Sequence, residues 1–181
     1  VTGSAQGLGN VIARGMMDAG AKVVLNDVSA RALEGAREAL RAENRDAPAY
    51  VFDITDEPGV TEAVAAIERE VGPIDILVNN AGIHRRNPLV DMPVEDWRKV
   101  IDVNLSGAFI VGRAVARGMI ARRRGKIINI SSINAMMVRP GIGNYCAAKG
   151  GIVSLTKSMA TEWGEYNINV NAIGPGYFLT D

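Results

Sequence analysis

Two hydrophobic periodicities alternate along this chain. Short apolar runs rich in Val and Ile are typical of strands that are buried on both faces. Five such runs are present: KVVLND (22–27), AYVFDI (49–54), IDILVNNA (74–81), KIINIS (126–131) and INVNAI (168–173). Longer stretches between them predict helices over about 7–19, 30–43, 57–71, 95–121 and 143–164. Strands that alternate with helices predict a parallel sheet with helices on both faces.

This order of elements predicts an α/β fold, a doubly wound parallel sheet of the Rossmann type, formed by residues 1–181 as a single domain. Only Val1 and Thr2 precede the first glycine of the opening stretch VTGSAQGLGN. A phosphate-binding glycine turn normally follows a strand, so we expect the first strand to be largely absent and the start to be truncated. Ligands in such folds bind at the carboxyl ends of the strands.

The amino-acid composition of the chain limits the kinds of binding partner that are expected. Apolar residues make up 48% and charged residues 22% of the chain, as in ordinary soluble domains. Twenty lysines and arginines balance twenty aspartates and glutamates, so the charge gives no reason to expect nucleic acid or a membrane as partner. The single cysteine, Cys146, excludes an internal disulfide and fits a reducing, cytoplasmic location. A single histidine cannot form a metal cluster, so no metal is expected.

The opening glycines predict a phosphate-binding turn. Gly3, Gly7 and Gly9 follow the spacing T-G-x-x-x-G-x-G, directly before a predicted helix. Glycines let the backbone approach a pyrophosphate, and the N-terminus of the helix favours negative charge. The turn alone is also compatible with an ordinary tight glycine loop.

Asp27 strengthens the nucleotide interpretation. It ends the second predicted strand, twenty residues after Gly7. A carboxylate at this point accepts hydrogen bonds from both hydroxyls of an adenosine ribose and repels a 2′-phosphate. Gln6 and Val28 supply no positive charge that could hold such a phosphate. The sequence therefore predicts NAD rather than NADP as cofactor, with a plain helix cap as the alternative role of Asp27.

A second cluster carries candidate chemistry. Tyr145 and Lys149 are four residues apart, so they share a face of the predicted helix. A lysine ammonium close by, together with a positive nicotinamide ring, favours the phenolate, so we expect a lowered pKa for Tyr145. The phenol then exchanges a proton with a substrate, and Ser132 hydrogen-bonds the same oxygen. The pattern Y-x-x-x-K by itself is also typical of a helical surface pair.

The order of these motifs identifies a family. The glycine turn, NNAG (79–82), Asn104 in DVNL, Ser132, Y-x-x-x-K and GPG (174–176) together resemble the short-chain dehydrogenase/reductase family over the whole chain. The resemblance implies that Tyr145 is the general acid/base and that Lys149 lowers its pKa and binds the nicotinamide ribose. It also implies that Ser132, thirteen residues before Tyr145, is the oxyanion-side donor. Asn104 would link the lysine to a proton-relay water. The cofactor-binding residues, from the residue patterns and the resemblance together, are Gly3, Ser4, Gln6, Gly7, Leu8, Gly9, Asp27, Asp53, Ile54, Asn80, Ala81, Gly82, Tyr145, Lys149, Pro175 and Gly176.

The substrate is predicted from two arginines that follow NNAG. Arg85 and Arg86 suit a carboxylate, and with the segment INVNAIGPGYFLTD they resemble the gluconate 5-dehydrogenases and related sugar-acid dehydrogenases within the family. A sugar acid such as gluconate is therefore the expected substrate, bound by Arg85, Arg86, Ser132 and Tyr145. Two solvated loop charges are the alternative for the arginines, and a 3-oxoacyl thioester is the alternative substrate. His84 is interpreted as a loop residue, or at most a substrate contact.

The resemblance also implies an oligomeric state and a longer chain. In the family, the helices that correspond to 95–121 and 143–164 pair between subunits, so a homodimer or homotetramer is expected. Family members continue past the equivalent of Asp181 into a substrate-covering loop, a helix and a last strand, so truncation is expected at this end too. An inactive fragment and a non-catalytic dinucleotide-binding module are the alternatives to an enzyme.

Overall fold

The computed structural model of the protein describes residues 1–177. Five strands are formed: β1 (Leu25–Asp27), β2 (Ala49–Val51), β3 (Ile76–Asn79), β4 (Gly125–Ile130) and β5 (Ile168–Ile173). Six α-helices are formed in the same range: α1 (Gly7–Asp18), α2 (Ala30–Ala42), α3 (Glu57–Glu70), α4 (Val94–Ile101), α5 (Gly107–Arg122) and α6 (Gly143–Trp163). Strands and helices alternate as the hydrophobic pattern predicts.

Helices α2 and α3 show how local sequence produces these elements. The hydroxyl of Ser29 accepts a hydrogen bond from the N–H of Ala32 at 3.2 Å and so caps α2. Pro58 occupies the first turn of α3, where an N–H is not needed. Each helix buries one stripe of side chains at helical spacing: Leu33, Ala36 and Leu40 in α2, and Val60, Val64 and Ile67 in α3.

All strand pairs are parallel, and the strands form two hydrogen-bonded sheets. β1 pairs with β2, whereas β4 lies between β3 and β5. Residues 1–4 run between the two sheets. The N–H of Thr2 donates to the carbonyl of Val78 at 3.0 Å, and the N–H of Ser4 donates to the carbonyl of Asn26 at 2.8 Å. This segment aligns the carboxyl ends of β1 and β3, where the site lies.

A cavity of about 680 Å³ lies between β1 and β3, beyond the short bridge formed by residues 1–4. Its walls come from both sheets and from α1, α3 and α5, and include Val23, Leu77, Ile67 and Val115. The buried apolar side chains form two hydrophobic clusters, one around Leu25 and Leu40 and the other around Val60, Met119 and Ile127.

The structure corrects the predicted bounds of three strands and one helix. β1 and β2 are each three residues long, shorter than the six-residue runs that predicted them, and β3 has four residues within its eight-residue run. The helix predicted over 95–121 is interrupted, because residues Asp102–Ser106 form a π-helical turn between α4 and α5. Such turns are frequent at functional sites, and this one carries Asn104. Among the described helices, none is long and apolar enough to cross a membrane.

Candidate active site

The glycine turn is packed tightly against the loop that follows β3. Gly3 and Gly7 have φ values of +60° and +55°, which favour glycine. A Cβ on Gly3 would lie 2.8 Å from the Cα of Ala81, and one on Gly9 would overlap the carbonyl oxygen of Gly3 and the amide nitrogen of Asn80. The glycines therefore serve close backbone packing as well as backbone conformation.

Thr2 and Asn80 hold this turn in place. The hydroxyl of Thr2 accepts hydrogen bonds from the backbone N–H groups of Asn80 and Ala81 at 3.0 and 3.1 Å. The Nδ2 of Asn80 donates to the carbonyls of Thr2 and Gly3, each at 3.0 Å. Asn80 was predicted as a cofactor contact, and in the structure its amide nitrogen shapes the turn. Sequence reasoning missed the part played by Thr2, because a threonine in an apolar strand gives no signal of its partners.

The remaining predicted nucleotide contacts divide into accessible and buried side chains. Asp27 lies half-buried at the end of β1, and one carboxylate oxygen accepts the N–H of Ser29 at 3.0 Å. Gln6 is exposed beside the start of α1. The hydroxyl of Ser4 is fully buried and bonded to Val1 and Asn26, and the side chain of Ile54 packs in the core. Ile54 therefore offers a ligand its backbone groups only, whereas both backbone polar groups of Ser4 already form hydrogen bonds, with Asn26 and Asn10.

Asp53, the predicted adenine contact, is organised by its own turn. Its Oδ1 accepts the backbone N–H of Thr55 at 2.8 Å and the hydroxyl of Thr55 at 2.7 Å. The backbone hydrogen bond from Thr55 is the main cause of a lowered pKa for the Asp53 carboxyl, and partial burial opposes it. The carboxylate is thus fixed and ionised at neutral pH.

A cleft of about 380 Å³ joins the glycine turn to the predicted catalytic residues. The larger cavity between the sheets holds none of those residues, so the smaller cleft is the candidate active site. Its walls are Leu8, Asn80, Gly82, Ile83, His84, Asn104, Ile130, Ser131, Ser132, Tyr145, Lys149, Pro175 and Gly176. The structure therefore brings together residues from the ends of three strands and from two helices.

The two serines after β4 have different roles in this geometry. The hydroxyl of Ser131 donates to the carbonyl of Lys149 at 2.9 Å and fastens β4 to α6. The hydroxyl oxygen of Ser132 accepts the N–H of Asn134 at 3.1 Å, so its hydrogen is available to donate to the phenol oxygen of Tyr145 or to a substrate oxygen in the cleft. This arrangement favours Ser132 as the donor to a substrate oxygen.

Lys149 is a buried cation below the ring of Tyr145. Its side chain is 4% exposed, and Nζ donates to the carbonyl of Ile130 at 2.7 Å and lies 5.6 Å from the centroid of the Tyr145 ring. Burial disfavours the ammonium and lowers the pKa of Lys149 to about 8.

The predicted lowering of the Tyr145 pKa depends on the nicotinamide ring as well as on Lys149, and the protein residues by themselves act in the opposite direction. Burial raises the pKa of Tyr145, and a hydrogen bond with Ser132 opposes that effect only in part. The physical reason is that the phenol is more than half buried, so the charged form loses more hydration than Ser132 returns. The residues of this chain therefore hold Tyr145 as the neutral phenol at neutral pH.

Asn104 acts on the loop after β3. Its side chain is 2% exposed, and its amide forms two hydrogen bonds with the backbone of Ile83. A Cβ on Gly82 would overlap the Oδ1 of Asn104, so only glycine permits this approach. Asn104 lines the cleft beside Lys149, as the relay role requires, but its side-chain amide is engaged with Ile83.

The two predicted carboxylate contacts lie outside the walls of the cleft. Arg85 is exposed, and its Nε lies 3.7 Å from a carboxylate oxygen of Asp96 on α4. Arg86 is exposed on the same loop, close enough to His84 to lower the pKa of that imidazole. His84, which sequence reasoning left as a loop residue or at most a substrate contact, lines the cleft with its ring 4.8 Å from that of Tyr145.

The residues present fit a nicotinamide dinucleotide. The compact glycine turn precedes a helix whose first turn has no acidic side chain, which suits a pyrophosphate. Asp27 carries an accessible carboxylate at the end of β1, where a ribose could be bound, and Lys149 carries a cation in the wall of the cleft. No group of His, Cys, Asp or Glu within residues 1–177 is arranged to hold a metal ion.

A glycine turn, a strand-end carboxylate and a Ser–Tyr–Lys cleft on a parallel α/β fold define a dinucleotide-dependent oxidoreductase. Residues 1–181 match the family described as short chain dehydrogenase, and the chain belongs to that family.

Three named proteins show which members of the family this chain is similar to. The chain is 49% identical to gluconate 5-dehydrogenase of Gluconobacter oxydans over 181 residues, which is 100% of this chain and 71% of the relative. The structure of a gluconate 5-dehydrogenase from Burkholderia cenocepacia, in complex with NADP and tartrate, matches with a TM-score of 0.94 at 46% identity and covers 98% of this chain and 70% of that one. A 3-oxoacyl-[acyl-carrier-protein] reductase of Thermotoga maritima is 40% identical over 99% of this chain and 73% of its own length.

Proposed function

We propose that this protein interconverts a secondary hydroxyl and a ketone on a sugar acid such as gluconate, with a nicotinamide dinucleotide as the second substrate. The observation that carries the proposal is the cleft in which Ser132, Tyr145 and Lys149 meet next to the glycine turn. Relatives named for gluconate oxidation support the substrate class, since they are more similar to this chain than the 3-oxoacyl reductase is.

The residues divide the proton chemistry between them. When bound, the dinucleotide accepts or supplies the hydride. Tyr145 donates its proton to a ketone oxygen in the reducing direction, starting from the neutral phenol that burial favours. In the oxidising direction the phenolate of Tyr145 accepts the proton of the alcohol. Ser132 donates a hydrogen bond to the same oxygen, where negative charge develops.

Lys149 supports Tyr145 from within the protein. Its ammonium lies 5.6 Å from the phenol ring and is fixed by the carbonyl of Ile130. A positive charge at this distance stabilises the phenolate that forms when the proton leaves. Because the pKa of Lys149 is near 8, this support decreases as the pH rises above that value.

The preferred dinucleotide in this proposal is NAD. Asp27 presents a carboxylate at the ribose end of the site, and within residues 1–177 no cation forms an ion pair with it. Such a carboxylate accepts bonds from ribose hydroxyls and repels a 2′-phosphate. The Burkholderia cenocepacia structure contains NADP, so Asp27 alone supports this preference.

For the substrate carboxylate, Arg86 is the stronger candidate of the two arginines. Arg85 is already paired with Asp96, whereas Arg86 has no ion pair within the described part of the chain. A guanidinium binds a carboxylate through two parallel hydrogen bonds. Arg86 would therefore hold the acid end of the substrate at the mouth of the cleft.

The test is a substrate panel followed by absorbance of the reduced dinucleotide. Gluconate, a polyol and a 3-oxoacyl thioester are each supplied with NAD or NADP in the appropriate redox form. We expect the highest kcat/KM with gluconate and NAD. Turnover of the thioester alone overturns the substrate class, and no turnover with any pair supports the non-catalytic alternatives.

The carboxylate contact is tested separately with Arg86→Ala and with Arg85→Ala as its matched control. We expect Arg86→Ala to raise the KM for gluconate about tenfold or more and Arg85→Ala to change it less. Equal or negligible effects of the two substitutions would remove Arg86 from the proposed site.

Self-association is also part of this proposal. Trp97 on α4 and Phe109 on α5 are 38% and 42% exposed, large apolar side chains on the two helices that flank the π-helical turn. Burial of such side chains between subunits is favourable. Light scattering is expected to give a dimer or tetramer, and a monomer at micromolar concentration would contradict it.

A further inference from the structure

His84 is placed at the reacting end of the cleft by the residue before it. Both backbone polar groups of Ile83 are bound by Asn104, so the position of the backbone directly before His84 is fixed. The imidazole ring lies 4.8 Å from the ring of Tyr145, centroid to centroid, with the two planes tilted by 31°. A tilted pair at this distance is a favourable arrangement of two rings.

The electrostatic surroundings keep this imidazole neutral. Arg86 on the same loop supplies positive charge nearby, and the phenol of Tyr145 is neutral. The carboxylate of Asp96 on α4 is paired with Arg85. Partial burial, followed by the charge of Arg86, lowers the pKa of His84, so the uncharged ring predominates at neutral pH.

A neutral imidazole in this position has unused hydrogen-bonding capacity. It carries one N–H donor and one nitrogen acceptor. Within residues 1–177 neither ring nitrogen has a protein hydrogen-bond partner, although the ring lines the cleft. A hydroxyl can both donate and accept, which makes it the complementary group.

We propose that His84 is a substrate-binding residue that hydrogen-bonds a hydroxyl on a carbon next to the reacting carbon. The reacting oxygen of the substrate is bound at the phenol hydroxyl of Tyr145. Because the imidazole ring lies beside the ring of Tyr145, it reaches groups on the carbons next to the one that carries this oxygen. Sugar acids carry such hydroxyls, whereas a 3-oxoacyl chain has methylene groups there. His84 thus selects polyhydroxylated substrates, and this inference rests on the sugar-acid function proposed above.

Two substitutions separate the stack from the hydrogen bond. His84→Phe keeps an aromatic ring against Tyr145 and removes both nitrogens, whereas His84→Gln keeps a donor and an acceptor and removes the ring. The substrates are gluconate and its 4-deoxy and 6-deoxy analogues, each of which lacks one hydroxyl beside carbon 5. Melting temperature and the Kd for NADH, measured by fluorescence, verify that both variants fold and bind the dinucleotide.

We expect His84→Phe to lower kcat/KM for gluconate about 10- to 100-fold, the range for a lost hydrogen bond in a confined site. For one of the deoxy analogues, the same substitution should change kcat/KM less than about threefold, because that analogue lacks the hydroxyl that hydrogen-bonds His84. His84→Gln should recover at least about a third of the lost kcat/KM for gluconate. Equal effects of His84→Phe on all three substrates, or no effect on any, overturn the proposal.

The same experiment distinguishes this inference from the proposed function. If the wild-type protein oxidises gluconate and His84→Phe affects all substrates equally, the function stands and the role of His84 is wrong. If the wild-type protein ignores gluconate but oxidises a polyol, the sugar-acid function fails, and the polyol with its deoxy analogues decides the role of His84. Turnover only of substrates without a neighbouring hydroxyl overturns both.

Discussion

The side-chain amide of Asn104 satisfies both backbone polar groups of Ile83. Its Oδ1 accepts the N–H of Ile83 at 3.0 Å, and its Nδ2 donates to the carbonyl of Ile83 at 2.8 Å. The amide comes from the π-helical turn between α4 and α5, and Ile83 lies on the loop after β3. One side chain therefore connects a helix irregularity to the loop that delivers His84 to the cleft.

Loss of this connection should reduce stability. Asn104→Ala leaves the N–H and carbonyl of Ile83 without protein partners in a partly buried position, at an expected cost of about 2 kcal/mol in the free energy of unfolding. Urea denaturation measures it. Asn171→Ala, at an exposed position on β5, is the matched control and should stay within about 0.5 kcal/mol of the wild-type protein. Equal midpoints for the two variants would show that the bonds to Ile83 contribute little.

The phenol hydroxyl of Tyr145 should matter for turnover and not for folding. Tyr145→Phe keeps the ring that packs beside His84 and removes the proton that the reaction exchanges. We expect kcat to fall by about 10² to 10⁴, while the Kd for NADH changes less than about threefold. Steady-state kinetics and fluorescence titration give the two values. Retention of more than a tenth of kcat would assign the proton transfer to another group.

Asp27 should determine the preference between the dinucleotides. Asp27→Ala removes the acceptor for the ribose hydroxyls and the charge that repels a 2′-phosphate. The ratio of kcat/KM for NAD to that for NADP should fall about tenfold or more. Glu62→Ala, an exposed acidic residue on α3, controls for the change in net charge. A wild-type protein that already prefers NADP contradicts the proposed role of Asp27.

Two glycines of α1 provide a matched test of the turn. A Cβ at Gly9 would overlap backbone and side-chain atoms of Gly3 and Asn80, whereas a Cβ at Gly15 meets nothing within 4 Å. Gly9→Ala should weaken NADH binding about tenfold or more, because the turn must move. Gly15→Ala should leave binding unchanged and raise the free energy of unfolding by up to about 1 kcal/mol. Similar Kd values for both variants would show that the turn tolerates the shift.

Buried Lys149 should make stability depend on pH. Its pKa is about 8 in the folded protein and has its ordinary value near 10.5 in the unfolded chain. Between these values the unfolded chain binds more protons, so the free energy of unfolding rises with pH, by about 1.5 kcal/mol from pH 8 to 9.5. Below pH 8 the cost of the buried charge is present in full.

The substitution Lys149→Met removes this titration. Urea denaturation of the variant and the wild-type protein across pH 8 to 9.5 should give curves that converge or cross, because only the wild-type protein gains the increment. Other titrating groups act on both proteins and cancel in the difference. Parallel pH dependences would mean that Lys149 keeps an ordinary pKa in the fold.

The sequence predicted the features that depend on neighbours along the chain. Hydrophobic period located the five strands and most helices, and spacing located the glycine turn and the Tyr145–Lys149 pair. It did not reveal the π-helical turn, since the helical pattern continues across residues 102–106. Nor did it reveal that Asp96 pairs with Arg85, or that burial raises the pKa of Tyr145. These depend on contacts between distant segments, which a local pattern does not encode.

The central position of β4 has a consequence for amide exchange. β4 is hydrogen-bonded to β3 on one side and to β5 on the other, and its Ile127 packs in the hydrophobic core. Amide protons of β4 should therefore exchange only when much of the fold opens, whereas those at the ends of the helices exchange through local opening.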